Sequence, residues 1–497
     1  MKKQSFLRGA ATIAVGGFAA KLIGALYRIP LLSLVGGECM GAYQLVYPFY
    51  CLLLTVSATG IPSSVAKIAA EKTAKGESDE SVLRSAFQIF LLLGGAGTLL
   101  MVLLSPVLSS AQGVKEIRSG YIALAPSVFL TSAISVFRGW FQGRNDMRPT
   151  ALSEITEQLV KVAFGLLFAY LYRGNVARTV TALLFAVSLS ELVTLFLLIF
   201  CFRRIPAPFQ GLEKGGRFPI KKILSLSLPV TFSSAVTPLC SFFESAILTR
   251  LLGRYTQNPV ALYGLFAGGA LTIAHLPTSI CYGVAVASVP SVAAENAKSG
   301  DKKAVRKKVF FALGVSFFLS SLFAAGLVVF SKPLVNLVYG GLSSAEKETL
   351  IKLVKILSLS GVFLSCAQTL SACLTAQGKP KHSAVSFSVG ATVRLALDFL
   401  LVRNRKFSVF GAAIAVNIGY LVAFFLDLVY NIFTTRNNGE KSNGYGSQFG
   451  DRSGRFDESG RESRVVGEKG IGADGAHAVV SKRYGSGRAP RNARSGV

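Results

Sequence analysis

Lys21, Arg28, Lys161 and Arg394 are the residues in this sequence best placed to do chemistry, because each interrupts a long apolar run. A cation at the centre of a membrane helix costs about 2.5–3.5 kcal/mol on insertion scales, so it is kept where something gains from it. At the helical rise of about 1.5 Å per residue, Lys21, Lys161 and Arg394 fall near the middle of their runs, with Arg28 one or two turns further out. Lys21 and Arg28 are seven residues apart and share a helix face. Gly16, Gly17 and Gly24 beside them allow close backbone approach, and Pro30 removes a backbone donor and bends a helix. Cations at two heights along one path suit an anionic cargo, with Arg supplying bidentate contacts and Lys a point charge. A plainer role for Lys21 is pairing with a carboxylate on a neighbouring helix, for which Glu191, Asp398 and Asp427 are candidates.

Two further runs each carry an acid and a base four residues apart, Glu157 with Lys161 and Arg394 with Asp398. That spacing lets each pair neutralise itself on one helix face. It also sets Lys161 and Arg394 on opposite walls if the two runs face each other. Glu244, after Pro238, is either a coupling carboxylate or a partner for Arg250, although six residues is a poor helical spacing. Arg138 and Arg250 lie near helix ends, where snorkelling to the interface is the cheaper placement. His275, just before Pro277, reads as a hydrogen-bonded packing residue or a proton relay. Tyr43, Tyr47 and Tyr50 form a stripe that suits stacking on sugar rings or an interfacial belt.

The elements that must position these residues are membrane helices. The chain is 51% apolar and only 16% charged, too apolar for an ordinary soluble domain. Runs of roughly 20 residues, enough to cross a bilayer, recur near 10–36, 42–62, 82–108, 119–142, 153–173 and 179–202. They recur again near 223–250, 260–289, 308–331, 349–374, 382–402 and 409–433. The two sets repeat in sequence. Gln142-Gly143-Arg144 matches Gln377-Gly378-Lys379, Val160-Lys161-Val162-Ala163 matches Val393-Arg394-Leu395-Ala396, and Ile61 to Ala66 matches Val289 to Ala294. The expectation is an all-α integral membrane protein of about twelve transmembrane helices in two parallel six-helix repeats, the architecture of two-lobed transporters with a site between the lobes.

The lobes are expected at 1–202 and 223–433, joined by a cytoplasmic linker at 203–222 and followed by a disordered basic cytoplasmic tail at 434–497, rich in Gly, Ser and Arg. Lys and Arg crowd the connections that are cytoplasmic when the N-terminus is inside, so both termini are expected in the cytoplasm, with Arg403, Arg405 and Lys406 as the exception. The formal charge of +28 is then mostly topology. It is scattered over many loops and implies no nucleic-acid partner. The first apolar stretch is too long for a signal peptide and stays as a helix. The seven cysteines are dispersed, with no metal-ligand spacing, and no cofactor motif is present.

The opening SFLRGAATIAVGGFAAKLIGALYRIPLLSLVGGECMGAYQLVYPFY, the following LLLTVSATGIPSSVAKIAAEKTAKGE, and the later F-Q-G and E-Q-L-V-K resemble the stage V sporulation protein B family. That group is close to the MurJ-type lipid II flippases of the multidrug/oligosaccharidyl-lipid/polysaccharide exporter superfamily. The resemblance spans roughly residues 1 to 433 and is strongest in the first 170. It implies a V-shaped, MATE-like, alternating-access transporter in the bacterial plasma membrane. Its implied cargo is an undecaprenyl-pyrophosphate-linked saccharide, foremost the peptidoglycan precursor lipid II, with cell-wall synthesis machinery as the expected protein partner. The family's first-helix cations match Lys21 and, with a one-residue shift, Arg28; the cationic position of the eighth helix is unmatched, the stretch AGGALTIAHLP offering only His275.

Other functions fit less well. A multidrug antiporter needs carboxylates for cationic drugs, yet the mid-depth charges lean positive. Another lipid-linked polysaccharide unit would suit the same cations. A membrane glycosyltransferase needs a catalytic outer loop, and a pump needs a P-loop; the sequence offers neither, so a transporter rather than an enzyme is expected.

Overall fold

The computed structural model describes residues 6–58, 60–74, 80–204, 220–298 and 302–436. Most of the expected linker and nearly all of the expected tail lie outside these described residues. Every regular element among the described residues is helical. The first, α1 (Phe6–Ala58), is two helices joined at Gly36, where φ of 76° and ψ of 172° leave the helical region. A side chain there would be strained, so glycine marks the turn. The two arms lie together, with Arg28 on one within electrostatic reach of Tyr43 and Cys51 on the other.

The first half continues with α2 (Ile61–Ala74), α3 (Glu80–Ala111), α4 (Arg118–Gly143), α5 (Arg148–Leu171) and α6 (Val176–Arg203). The second half begins with α7 (Ile220–Leu252). A broken run follows: α8 (Pro259–Gly264), a π-helical segment (Leu265–Ala270), α9 (Leu271–Ala274) and α10 (Leu276–Lys298). It ends with α11 (Lys302–Val338), α12 (Ser344–Ala376), α13 (Pro380–Val402) and α14 (Ser408–Thr434).

Among the described residues, ten helices are long and apolar enough to cross a membrane. One of the ten contains both arms of α1. Helix α5 has the length, but Glu154, Glu157 and Lys161 interrupt its apolar part. Counting α5 and both arms of α1 gives twelve crossings, matching the twelve apolar runs of the sequence. The sequence repeat is also a structural repeat. Helix α4 ends at Gly143 and the chain turns at Asn145, with φ of 59°; α12 ends at Ala376 and turns at Gly378, with φ of 77°. Each following helix, α5 and α13, carries a proline in its first turn, Pro149 and Pro380, where the missing N–H costs nothing.

The two halves meet at the end that bears the Gly36 turn. Gly41 packs so tightly on α8 that a Cβ there would lie 1.9 Å from the Val260 carbonyl oxygen. A Cβ on Gly264 would lie 2.0 Å from the carbonyl oxygen of Gly37. Gln112 Nε2 adds a bridge, donating to Leu45 O at 2.8 Å and Ser245 Oγ at 3.2 Å. Toward the opposite end, Ser227 Oγ of α7 donates to Ser64 Oγ of α2 at 3.0 Å.

Candidate functional site

A cavity of about 980 Å³ lies between the halves, lined by residues of α1, α4 and α5 on one side and α7 to α10, α13 and α14 on the other. It runs from Tyr43, Tyr47 and His275 toward Ile13 and Val286. All four mid-helix cations, Lys21, Arg28, Lys161 and Arg394, line it. Arg138 is a fifth, and the carboxylates are Glu154, Glu157 and Glu244. The excess of cations makes this a space for an anion.

Each cation is held differently. Lys21 Nζ sits 3.7 Å from the centroid of the Tyr282 ring, so its contact crosses from α1 to α10. Glu154 is the carboxylate within electrostatic reach of it. Of the partners suggested by sequence, Glu191, Asp398 and Asp427, none pairs with Lys21. Arg28 and Lys161 make no ion pair among the described residues, so their charges are available to a ligand. An anion entering at their level would meet positive charge unpaired among the described residues instead of water, which is what a charged group needs in order to leave solvent.

The two same-helix pairs expected from four-residue spacing do not form. Glu157 instead accepts from Arg138 Nη2 at 3.0 Å, and Arg394 Nη2 donates to Glu244 of α7. Spacing puts two residues on one face, but each arginine here reaches across a helix interface instead, Arg138 from α4 to α5 and Arg394 from α13 to α7. Arg138, expected at the lipid interface, therefore turns into the cavity. Arg250, in contrast, is exposed, and its Nε donates to Ala111 O at 2.7 Å at the helix end. It takes no part in the cavity lining and is not the partner of Glu244.

Asp398 is fully buried one turn beyond Arg394, outside the cavity lining, with both carboxylate oxygens unbonded among the described residues. His275 faces Ser360 Oγ at 3.2 Å through Nε2 and meets the Tyr420 ring edge-on at 5.5 Å. It stands where α9 breaks from α10, a hydrogen-bonded wall residue. Tyr43 and Tyr47 line the cavity, whereas Tyr50 turns away and donates to Glu191.

Sequence reading missed Glu154, Tyr263, Tyr282 and Tyr420 in the wall. Glu154, Glu157 and Lys161 share one face of α5 by their three- and four-residue steps, a signal that was available. Tyr282 and Tyr420 carried none, since tyrosine inside an apolar run looks like any core aromatic. No cluster that would hold a metal ion occurs among the described residues.

Residues 6–281 match the family described as polysaccharide biosynthesis protein, and residues 229–400 match MatE. Stage V sporulation protein B of Bacillus subtilis (strain 168) is 27% identical over 440 residues, covering 86% of this chain and 83% of that protein. An inward-facing multidrug resistance MATE family transporter of the MOP superfamily has a similar fold, with a TM-score of 0.70 at 17% identity over 84% of this chain and 94% of the other. Lipid II flippase MurJ in an inward closed conformation gives 0.66 at 15% identity over 84% and 87%.

Proposed function

This chain belongs to the polysaccharide biosynthesis protein family, and we propose that it is an alternating-access flippase for an undecaprenyl-pyrophosphate-linked saccharide, foremost lipid II. The cargo moves from the cytoplasmic to the outer leaflet of the bacterial plasma membrane. The observation that carries this reading is the single cavity in which both halves present cations to one space. Lys21, Arg28, Lys161 and Arg394 replace water around the pyrophosphate. The tyrosines of the wall take the saccharide, and the isoprenoid chain stays in lipid between the halves.

The likeness to stage V sporulation protein B and to lipid II flippase MurJ supports the same cargo class. With both termini cytoplasmic, the Gly36 end, where Gly41 and Gly264 bring the halves into backbone contact, faces outward. A membrane potential negative inside then favours outward passage of the anion. A multidrug antiporter is less well supported, because cationic drugs would meet a wall in which cations outnumber carboxylates. Cell-wall synthesis enzymes are the natural consumers of the delivered lipid.

Complementation tests the reading. Expressed in a bacterium depleted of its own lipid II flippase, the chain is expected to restore growth and outer-leaflet lipid II, and Lys21→Ala to abolish both at unchanged membrane abundance. Restoration by Lys21→Ala to the wild-type level would exclude the cationic cavity as the cargo site. Failure of the wild-type chain while present in the membrane would move the cargo to another lipid-linked saccharide.

A further inference from the structure

Helix α11 opens with a dense run of cations, Lys302, Lys303, Arg306, Lys307 and Lys308, and no acidic residue occurs anywhere in it. The run divides by helix face. Val305, Val309, Ala312, Ser316 and Ser320 are buried and fix which side of α11 packs on the protein. Two cations tie that side down. Lys308 Nζ lies 2.7 Å from Glu295 Oε2 and donates to Ser291 O of α10 at 3.2 Å. Lys302 Nζ donates to Arg436 O, just past α14, at 3.5 Å. Arg306 and Lys307 are exposed, and the Arg306 guanidinium stands over the Phe310 ring, 5.5 Å from its centroid.

The exposed face continues from these cations into the membrane. Gly314 is seven residues beyond Lys307 and so lies on the same face. A Cβ added to Gly314 would meet nothing within 4 Å, so this glycine does not serve to admit a neighbouring helix among the described residues. Phe310 and Phe311 lie one turn before it and Phe317 and Phe318 one turn after, all four exposed. By helical spacing these rings flank the glycine on both sides and leave a notch between them. The notch is about 10 Å along the helix from Lys307. The headgroup layer is only about 5–8 Å thick on each side of the hydrocarbon. A phosphate held at Lys307 therefore has its acyl chains beside the notch.

We propose that this face of α11 binds one anionic phospholipid of the cytoplasmic leaflet, with its phosphate on Arg306 and Lys307 and an acyl chain in the notch at Gly314. The guanidinium suits phosphate oxygens bidentately, and the ammonium adds a point charge. A cationic cluster beside a membrane helix favours anionic lipid by about fivefold for each cation. Cations that served topology alone would need no notch beneath them; the glycine among four phenylalanines marks a seat for a single chain. The inference rests on the orientation with both termini cytoplasmic and is independent of the cargo.

The test is fluorescence quenching in phosphatidylcholine proteoliposomes that contain phosphatidylglycerol with brominated acyl chains, compared with brominated phosphatidylcholine at the same content. Phe311→Trp places an indole beside the notch. Emission of Trp140, the sole native tryptophan and buried, is subtracted with the parent protein. Leu103→Trp is the comparison, an exposed position in α3, whose one cation is Arg84 near its start. The Phe311→Trp protein is expected to prefer phosphatidylglycerol by roughly fivefold or more, and the Leu103→Trp protein to show little preference. Adding Arg306→Gln and Lys307→Gln should remove most of the preference, with Lys302, Lys303 and Lys308 left to keep the orientation. Adding Gly314→Leu, which keeps every charge and meets no neighbour, should also weaken it. Equal quenching by the two lipids in Phe311→Trp, or as large a preference in Leu103→Trp, would overturn the site. A preference untouched by Gly314→Leu would overturn the single-lipid seat and leave only surface attraction. Relief of quenching by undecaprenyl pyrophosphate, at a content where unlabelled phosphatidylglycerol gives none, would overturn the assignment and give the face to the cargo lipid.

Discussion

Lys21 joins the two halves through one side chain, its contact crossing from α1 to α10. Its ammonium rests on the Tyr282 ring and, among the described residues, has no carboxylate at ion-pair distance, so an incoming anion need not break a salt bridge with one of them to reach it. A cation–π contact is worth about 0.5–2 kcal/mol. Tyr282→Phe is therefore expected to transport like the wild type, and Tyr282→Leu to lose roughly threefold to thirtyfold in apparent cargo affinity, read by pyrophosphate titration. The Glu244–Arg394 pair obeys the opposite logic, because both groups are buried in each other's company. Removing one partner strands the other at a cost of about 3–5 kcal/mol. Glu244→Gln should lower the thermal unfolding midpoint in detergent sharply, and adding Arg394→Gln should recover part of that loss. A double variant no more stable than Glu244→Gln alone would show that the pair carries no mutual energy.

At the level of elements, glycines decide how the halves meet. Gly36 lets α1 fold back on itself, which brings Arg28 beside the tyrosines of the second arm. Gly41 and Gly264 then let α1 and α8 touch backbone to backbone at the Gly36 end. Just beyond this contact the helix widens into the π-helical segment Leu265–Ala270 and breaks at His275, the kind of irregularity that proteins place where a helix must bend. Gly41→Leu cannot keep the contact, since its Cβ alone would overlap the Val260 carbonyl. The expected outcome is retained helical content by circular dichroism, lost transport, and increased labelling of Tyr263→Cys by an impermeant thiol reagent in a background without the native cysteines. Unchanged labelling would mean that this contact does not gate the cavity.

At the scale of the whole molecule, the expected orientation follows from the distribution of Lys and Arg. With both termini cytoplasmic, Arg173→Cys, in the turn between α5 and α6, should react with an impermeant thiol reagent in intact cells lacking the native cysteines. Lys379→Cys, between α12 and α13, should react only after permeabilisation. The reverse pattern would invert the proposed direction of transport. Much of this architecture was legible in the chain. Apolar runs of bilayer length declare their own helices, because a spanning segment must satisfy every backbone group internally. The repeat around Gln142 and Gln377 announced equivalent turns, and the expense of burying Lys21, Arg28, Lys161 and Arg394 marked them as cavity residues before any fold was known. Partner choice was not legible. Glu157 takes Arg138, Glu244 takes Arg394, Tyr282 receives Lys21 and Tyr50 reaches Glu191, each across a helix interface. Spacing along one helix fixes only which residues share a face; which face meets which is decided by packing of the whole bundle, and that packing exists only in three dimensions.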